Sequence, residues 1–152
     1  MSTPASFLTD EMREQAIGTE SRPVAMDVEK GAIIKFAEAI GDTSPVYCNE
    51  ISARSTRYGT LIAPPTFLRC MRAAQPEIPF DMPFDRLLDG GSEWEYFQPV
   101  RAGDRITAVG RIADISERSG RLGLMIFIKM VITYRNQFDE LAVTQTNTLI
   151  RY

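Results

Sequence analysis

Apolar residues occupy every second position from residue 122 to residue 134 without interruption. Because side chains alternate between the two faces of a strand, this pattern predicts a long strand with one buried face. At ~3.3 Å per residue, a strand of about 13 residues is ~43 Å long, which exceeds the usual strand length. Sheets built from such strands twist, so we expect a curved sheet.

Three more segments of the C-terminal half alternate in the same way. They are the residues around Trp94 and Tyr96, residues 105–115, and residues 141–152. Polar and glycine-containing stretches at 117–120 and near Asn136 predict the turns between them. The second half of the chain is therefore predicted to be an antiparallel sheet.

The N-terminal half predicts helices. Residues 6–17 fit a short amphipathic helix with Ser6 as N-cap, and residues from Asp27 to Ile40 fit a second helix that ends at Gly41. A third, well-buried helix is predicted to begin at Pro65 and to end before Pro76. Its apolar stripe comprises Phe67, Cys70, Met71 and Ala74.

An apolar helix followed by long antiparallel strands indicates an α+β fold, in which a curved sheet wraps around a central α-helix. The 152 residues contain no repeat, low-complexity tract or linker. We therefore expect one domain over residues 1–152, with a poorly defined N-terminal segment at residues 1–19.

Composition excludes several functions. With 17 Lys+Arg, 20 Asp+Glu and a net charge of −3, the chain has no basic stripe for nucleic acid. It contains no histidine, which excludes an imidazole base and a histidine metal ligand from this chain. Cys48 and Cys70 show no metal-binding or disulfide spacing, so we expect no metal.

Neither a signal-peptide pattern nor an apolar run of about 18 residues is present. These observations favour a cytoplasmic protein without a membrane partner.

Three stretches carry more specific information. Residues 36–47 read Phe-Ala-Glu-Ala-Ile-Gly-Asp-Thr-Ser-Pro-Val-Tyr, residues 63–67 read Ala-Pro-Pro-Thr-Phe, and residues 93–104 read Glu-Trp-Glu-Tyr-Phe-Gln-Pro-Val-Arg-Ala-Gly-Asp. Their order and spacing resemble the MaoC-like hydratase/dehydratase family of the hot-dog fold. The likeness is to N-terminal-type or partner subunits, such as the small subunits of (3R)-hydroxyacyl-carrier-protein dehydratases.

The resemblance implies a catalytic turn that reads Gly-Asp-x-Asn-Pro-x-His in active members of the family. There the aspartate and histidine position and deprotonate the water that adds to an enoyl thioester. In this chain Asp42 and Pro45 match, whereas Ser44 replaces the asparagine and Tyr47 replaces the histidine. A phenol, with a reference pKa near 10, is a poor base at neutral pH. No catalytic dyad is therefore intact, and Asp42, Ser44 and Tyr47 are degenerate positions.

A second departure concerns the donors that contact the thioester carbonyl in active relatives. Their Ala-His-Gly sequence is replaced here by residues 63–66, and two of these are prolines without an N–H. Thr66 keeps an N–H that could serve. The predicted substrate-binding set comprises Pro45, Tyr47, Pro65, Thr66, Phe67, Phe80 and Phe84.

Several of these residues have structural alternatives. Asp42 could simply bind backbone amides of its own turn, and Tyr47 could be a packing residue. The stripe that contains Phe67 is either core or the lining of an acyl tunnel. Trp94 and Tyr96 fit the core of the sheet or a dimer interface.

Residues 76–91 form a long connection with three prolines and the aromatic residues Phe80 and Phe84. Three interpretations stay open for it: a lid over the acyl groove, an oligomer contact, or a satellite core cluster.

The resemblance implies a heteromeric (3R)-specific enoyl-thioester hydratase or 3-hydroxyacyl-thioester dehydratase. In it, this chain shapes the acyl groove while a second MaoC-like subunit supplies the Asp/His dyad. The substrate is then carried as a CoA or phosphopantetheine thioester, bound as acyl-CoA or acyl-carrier protein, without another cofactor. Two alternatives remain: a histidine-free thioesterase or hydratase that uses Asp42 or Glu50, and a non-enzymatic homodimer that binds acyl thioesters.

Overall fold

The computed structural model describes residues 5–152. Its framework is a five-stranded, fully antiparallel sheet in the order β1-β3-β4-β5-β2. The strands are β1 (Val24–Asp27), β2 (Leu87–Tyr96), β3 (Arg105–Gly120), β4 (Gly123–Arg135) and β5 (Leu141–Arg151). The helices are α1 (Asp10–Ala16), α2 (Lys30–Ala39), α3 (Pro45–Cys48) and α4 (Glu50–Arg54), with a 3₁₀ helix at Phe67–Cys70. The predicted α+β class with a long antiparallel sheet is confirmed.

The alternating pattern locates β4 to within one residue. Ile126, Ile128, Met130, Ile132 and Tyr134 are all buried, whereas Leu122 is 53% exposed in the turn before the strand. The turn expected at 117–120 is wrong, because β3 continues to Gly120 and pairs it with Gly123. Only residues 121 and 122 connect the two strands. The turn near Asn136 is confirmed, since the Asn136 N–H donates to the Glu140 carbonyl at 3.0 Å.

β1 has no counterpart among the predicted elements. Its four residues pair with the start of β3, from Val24 opposite Ala108 to Asp27 opposite Arg105. Asp27 also forms a 2.8 Å ion pair with the Arg105 guanidinium. The helix predicted from Asp27 therefore begins only at Lys30, because Asp27 belongs to the sheet and the N-cap Glu29 has an extended backbone. A four-residue strand is too short for alternation to reveal it.

The N-terminal helix is shorter than predicted. Ser6 is not its cap; instead the Thr9 side chain accepts a hydrogen bond from the Met12 N–H at 3.1 Å. α1 lies against β3, where the Arg13 guanidinium donates to the Ile115 carbonyl at 3.0 Å. Ala16 is completely buried there.

The helix predicted from Pro65 to Pro76 does not form. Thr66 has a left-handed backbone, with φ 71°, and only the four residues Phe67–Cys70 adopt a 3₁₀ helix. Further along, the Ala74 carbonyl passes so close to Gly110 of β3 that a Cβ there would lie 2.0 Å from it. Phe67, Met71 and Ala74 are nevertheless buried in the main core, whereas Cys70 is exposed. The assignment of the stripe to the interior is therefore confirmed for three of its four residues, and its assignment to a helix is wrong.

The helix whose apolar face does join the main core is α2. Its Ile33 is completely buried in one cluster with residues of β3, β4 and β5, and its Ala37 is completely buried as well. A second cluster lies under α1 and residues 78–84. No helix within residues 5–152 has the length and apolar character needed to cross a membrane.

Candidate ligand-binding site

A cavity of about 540 Å³ lies between the residues that follow β2 and the loop that contains the 3₁₀ helix. Its walls include Tyr47, Tyr58, Thr66, Phe67, Tyr96 and Phe97. A space of this size falls within the range of small-molecule sites. We call it the tyrosine cavity, since three of its lining residues are tyrosines.

Backbone hydrogen bonds join the two walls of the tyrosine cavity. The Ala63 N–H donates to the Val100 carbonyl at 2.8 Å, and the Ala102 N–H donates to the Leu61 carbonyl at 2.9 Å. The buried Asp104 carboxylate accepts the Arg101 N–H at 2.8 Å, which holds the turn after Val100. These three hydrogen bonds therefore fix the backbone of both walls of the cavity.

Thr66 and Tyr96 meet on the wall of this cavity. The Thr66 N–H donates to the Tyr96 hydroxyl oxygen at 2.9 Å. The Tyr96 ring stacks on Trp94, with ring centres 6.4 Å apart and planes 16° from parallel. Trp94 stacks in turn on Tyr134 at 5.9 Å. The one amide donor expected to remain free in this turn is thus already engaged.

The row of stacked rings ends in the core. The Tyr134 hydroxyl donates to the Gln145 side-chain carbonyl at 2.8 Å. Burial raises the pKa of Tyr134 to about 12, so this phenol keeps its proton at neutral pH and can donate it to Gln145. Its fixed ring gives Trp94, and through it Tyr96, a rigid support.

Tyr47 is half-buried and lines the tyrosine cavity. Burial raises the pKa of its phenol, and the nearby charge of Asp42 and the phenol of Tyr58 raise this pKa further. A raised pKa keeps the hydroxyl protonated at neutral pH. Tyr47 can therefore donate a hydrogen bond but cannot remove a proton from water.

Asp42 is exposed and does not line the tyrosine cavity. Its carboxylate accepts the Ser44 N–H at 3.2 Å, and its own N–H donates to the Ala37 carbonyl at 2.9 Å. These bonds form a local turn between α2 and α3, as the structural alternative for Asp42 proposed. Ser44 and Pro45 belong to the same turn and are likewise not part of the cavity wall.

The structure thus places only some of the residues proposed from sequence in the cavity. Tyr47, Pro65, Thr66 and Phe67 come together in the tyrosine cavity. Phe80 and Phe84 do not, because both pack against Phe7, at ring-centre distances of 6.4 and 5.2 Å. Of the three interpretations of residues 76–91, the satellite core cluster describes these two rings.

Several lining residues were not among the predicted substrate-binding residues, including Tyr58, Phe97 and Arg101. The Arg57 guanidinium donates to the Tyr58 hydroxyl at 2.7 Å and lies 4.9 Å from the centre of the Tyr58 ring. These residues lie in irregular segments, where periodicity offers no signal. Residues 93–104 were recognised in the sequence as a family motif, but not as part of a cavity wall.

The ionisable groups that line the tyrosine cavity are phenols and guanidinium groups. Both kinds of group can donate hydrogen bonds to a ligand. Within residues 5–152, no three His, Cys, Asp or Glu side chains are grouped so that they could hold a metal ion.

Solved structures define the class of fold. The chain aligns with the MaoC-like dehydratase from Rhodospirillum rubrum at a TM-score of 0.69 and 20% identity, covering 91% of this chain and 94% of that one. It aligns with a chain of the C-terminally truncated HadBC (3R-hydroxyacyl-ACP dehydratase) complex from Mycobacterium tuberculosis at a TM-score of 0.71 and 22% identity, covering 88% and 96%. The fold is therefore that of the MaoC-like hot-dog proteins.

Sequence comparison narrows this class to a family. Residues 15–145 match the FAS1-like, dehydratase domain region, and the chain belongs to that family.

Two curated relatives illustrate the range of similarity. A UPF0336 protein of Streptomyces griseus is 37% identical over 103 residues, which are 63% of this chain and 67% of that protein. A probable enoyl-CoA hydratase alpha subunit of Thermomonospora curvata is 33% identical over 135 residues, which are 77% of this chain and 42% of the subunit. The match thus spans less than half of the Thermomonospora subunit.

Proposed function

We propose that this chain is a non-catalytic subunit of a heteromeric (3R)-specific enoyl-thioester hydratase or 3-hydroxyacyl-thioester dehydratase. In this role it shapes the acyl-binding groove, and a second hot-dog subunit supplies the Asp/His dyad. The substrate arrives as a CoA or carrier-protein thioester. The family and the fold support the reaction class, and the site supports the division of labour.

One observation carries the proposal. Tyr47 stands where active relatives have the histidine, and its pKa is raised by burial and by the charge of Asp42. Hydration requires a group that accepts a proton from water near neutral pH. A phenol with a raised pKa cannot do so, and the sequence contains no histidine to replace it.

The carboxylates proposed for a histidine-free enzyme are engaged elsewhere. Asp42 accepts the Ser44 N–H in an exposed turn. Glu50 forms ion pairs with Lys30 and Arg54, each at 3.4 Å. Neither carboxylate lines the tyrosine cavity. This arrangement favours the subunit over a self-sufficient thioesterase.

The sheet offers a surface for a partner. β2 lies at one end of the strand order and pairs with β5, so its other side is an open edge within the described residues. Leu87 is 57% and Leu88 41% exposed on this strand. Open edges with apolar residues are sites where another strand can add. The tyrosine cavity lies at the other end of β2, where a second subunit would complete it.

Cys48 and Cys70 are free thiols, which supports a reducing compartment, and we place the protein in the cytoplasm.

The experiment compares the chain alone with its complex. The partner is obtained by purifying the tagged full chain from its native host, and hydration of crotonyl-CoA is followed by the loss of enoyl-thioester absorbance. We expect no hydration above the uncatalysed rate from the chain alone and full activity from the co-purified or co-expressed pair.

Asp42→Asn provides the matched variant, because asparagine keeps the oxygen that accepts the Ser44 N–H. The proposal expects the activity of the pair to stay within about twofold, as for a residue outside the reacting groups. Crotonyl-CoA hydration or acyl-CoA hydrolysis by the lone chain, abolished in Asp42→Asn, would overturn the proposal in favour of the self-sufficient enzyme.

A further inference from the structure

The Tyr96 hydroxyl has an unused proton. Its oxygen accepts the Thr66 N–H at 2.9 Å, and its proton has no acceptor among residues 5–152. A phenol carries one donor in addition to its acceptor lone pairs. Because Tyr96 lines the tyrosine cavity, this donor is available to a ligand there.

The position of this hydroxyl is fixed from two sides. The ring stacks on Trp94, which stacks on the buried Tyr134. The oxygen is held by the Thr66 N–H, whose left-handed backbone, with φ 71°, directs the amide toward it. A donor held in place in this way loses little freedom when it binds a ligand.

The Thr66 amide also strengthens the donor. A hydroxyl that accepts a hydrogen bond is polarised and becomes a better donor for the next bond in the chain. Pro64 and Pro65 have no N–H, so Thr66 supplies the first amide donor after Ala63 in this turn. The polarising effect of this amide therefore reaches a ligand through the Tyr96 hydroxyl.

Tyr58 repeats the arrangement. Its hydroxyl oxygen accepts a 2.7 Å hydrogen bond from Arg57, and its proton likewise has no acceptor in the described part of the chain. With Tyr47, three phenols line one cavity in a protein that has five tyrosines. The wall is rich in neutral donors, which match an uncharged oxygen acceptor such as a carbonyl.

We propose that the Tyr96 hydroxyl, polarised by the Thr66 N–H, donates the hydrogen bond that binds the carbonyl oxygen of an acyl thioester in the tyrosine cavity. This inference rests on the proposed function, since it assumes that the cavity takes the thioester. It makes Tyr96 a binding residue that selects for the carbonyl, and it assigns Tyr96 no proton transfer.

The test uses two ligands that differ in the carbonyl. Butyryl-CoA has a thioester carbonyl, whereas S-butyl-CoA, a thioether, has a methylene group in its place. Trp94 is the only tryptophan and stacks on Tyr96, so its fluorescence reports binding in this cavity. Both ligands are titrated into the full chain, alone and as the co-purified complex, up to about 1 mM.

We expect the wild-type protein to bind butyryl-CoA about 3–10-fold more tightly than S-butyl-CoA, as for one neutral hydrogen bond. Tyr96→Phe keeps the ring and removes the hydroxyl. It should weaken butyryl-CoA by about the same factor and leave S-butyl-CoA within about twofold. The matched control is Tyr152→Phe, whose ring lies beside Arg86 outside the cavity; it should change neither affinity.

The possible failures are distinguishable. If both ligands bind and Tyr96→Phe leaves their affinity ratio unchanged, the inference is overturned while the proposed function stands. An equal loss for both ligands also overturns it, because the hydroxyl would then act through packing. If neither ligand binds to the chain or to the complex, the proposed function falls and the inference falls with it.

Discussion

The amide N–H of Thr66 donates a 2.9 Å hydrogen bond to the hydroxyl of Tyr96, which lies 30 residues further along the chain. This bond joins the Ala-Pro-Pro-Thr-Phe turn to the edge strand of the sheet. Because of this bond, the Thr66 N–H is not free to bind a ligand, and the Tyr96 hydroxyl lies beside it instead. Thr66 has a left-handed backbone, an unfavourable conformation for a β-branched residue.

Thr66→Gly should therefore stabilise the protein. Glycine removes the left-handed strain and keeps the N–H, but it adds entropy to the unfolded chain, so we expect a net gain of about 0.5–1 kcal/mol in the free energy of unfolding. Urea denaturation measures it. Thr43→Gly is the control, because Thr43 is also exposed and has no positive φ. That change should destabilise by about 0.5–1 kcal/mol, and equal effects at both positions would contradict the strain at Thr66.

Gly110→Ala should be strongly destabilising. The added Cβ would lie 2.0 Å from the Ala74 carbonyl oxygen, so the segment over β3 must move. We expect a loss of about 3 kcal/mol or more, at the upper end of overpacking effects. Gly31→Ala in α2 meets no atom within 4 Å and should instead stabilise by ~1 kcal/mol through helix propensity. Thermal denaturation compares the two variants. Equal melting temperatures would contradict the close approach of the Ala74 carbonyl to Gly110.

Glu117 should hold the N-terminal segment in a pH-dependent way. Its carboxylate accepts the Leu8 N–H at 2.9 Å, the Phe7 N–H at 3.0 Å and the Ser6 hydroxyl. The Leu8 amide, the Ser6 hydroxyl and then the Phe7 amide lower the pKa of Glu117, with Arg13 adding a further lowering. A lowered folded pKa means that this stabilisation is present above the unfolded pKa of ~4.3 and is lost as the pH falls through the folded value.

Glu117→Gln should reproduce the acid form at neutral pH. We expect hydrogen exchange of the Leu8 amide to accelerate by ~10-fold at pH 7 and to lose its acid dependence, while strand amides of β4 are unchanged. Glu14→Gln in α1 is the control, since Glu14 is exposed and makes no side-chain hydrogen bond within the described residues. Unchanged Leu8 exchange in Glu117→Gln would show that packing alone holds the segment.

Substitutions at Phe84 and at Phe97 should have different effects, one on stability and the other on ligand binding. Phe84 packs edge-to-face on Phe7 in the second cluster, so Phe84→Ala should lower the free energy of unfolding by about 1–3 kcal/mol and leave butyryl-CoA affinity unchanged. Phe97 is half-exposed on the cavity wall, so Phe97→Ala should weaken butyryl-CoA by about threefold or more with little loss of stability. Weaker binding in Phe84→Ala would restore the interpretation of residues 76–91 as a lid.

The sequence by itself indicated the four longer strands of the sheet, and it located β4 most closely. From 122 to 134 the alternation leaves one face of a strand apolar, and burying that face against a core is the favourable outcome for this pattern. The missing histidine and the exchange at Tyr47 were equally visible, because they depend on residue identity alone.

Tertiary structure decided the segment from Pro65 to Pro76. Its apolar spacing suits a helix, yet Thr66 turns left-handed and the Ala74 carbonyl packs against Gly110. Both features depend on contacts with residues that are distant in sequence. The Thr66 N–H is bound by the Tyr96 hydroxyl, and the Ala74 carbonyl packs against β3. A local pattern cannot contain that information, since propensity yields to long-range packing.

The same reason limits what could be predicted of the site. Tyr47 and Thr66 were found through a motif, whereas Tyr58, Phe97 and the role of the Tyr96 hydroxyl came only with the fold. A cavity wall is assembled from residues that are distant in sequence, and its chemistry depends on the distances between them. The amino-acid sequence determined which groups the protein has, and the packing of the loops on the sheet decided which of them meet.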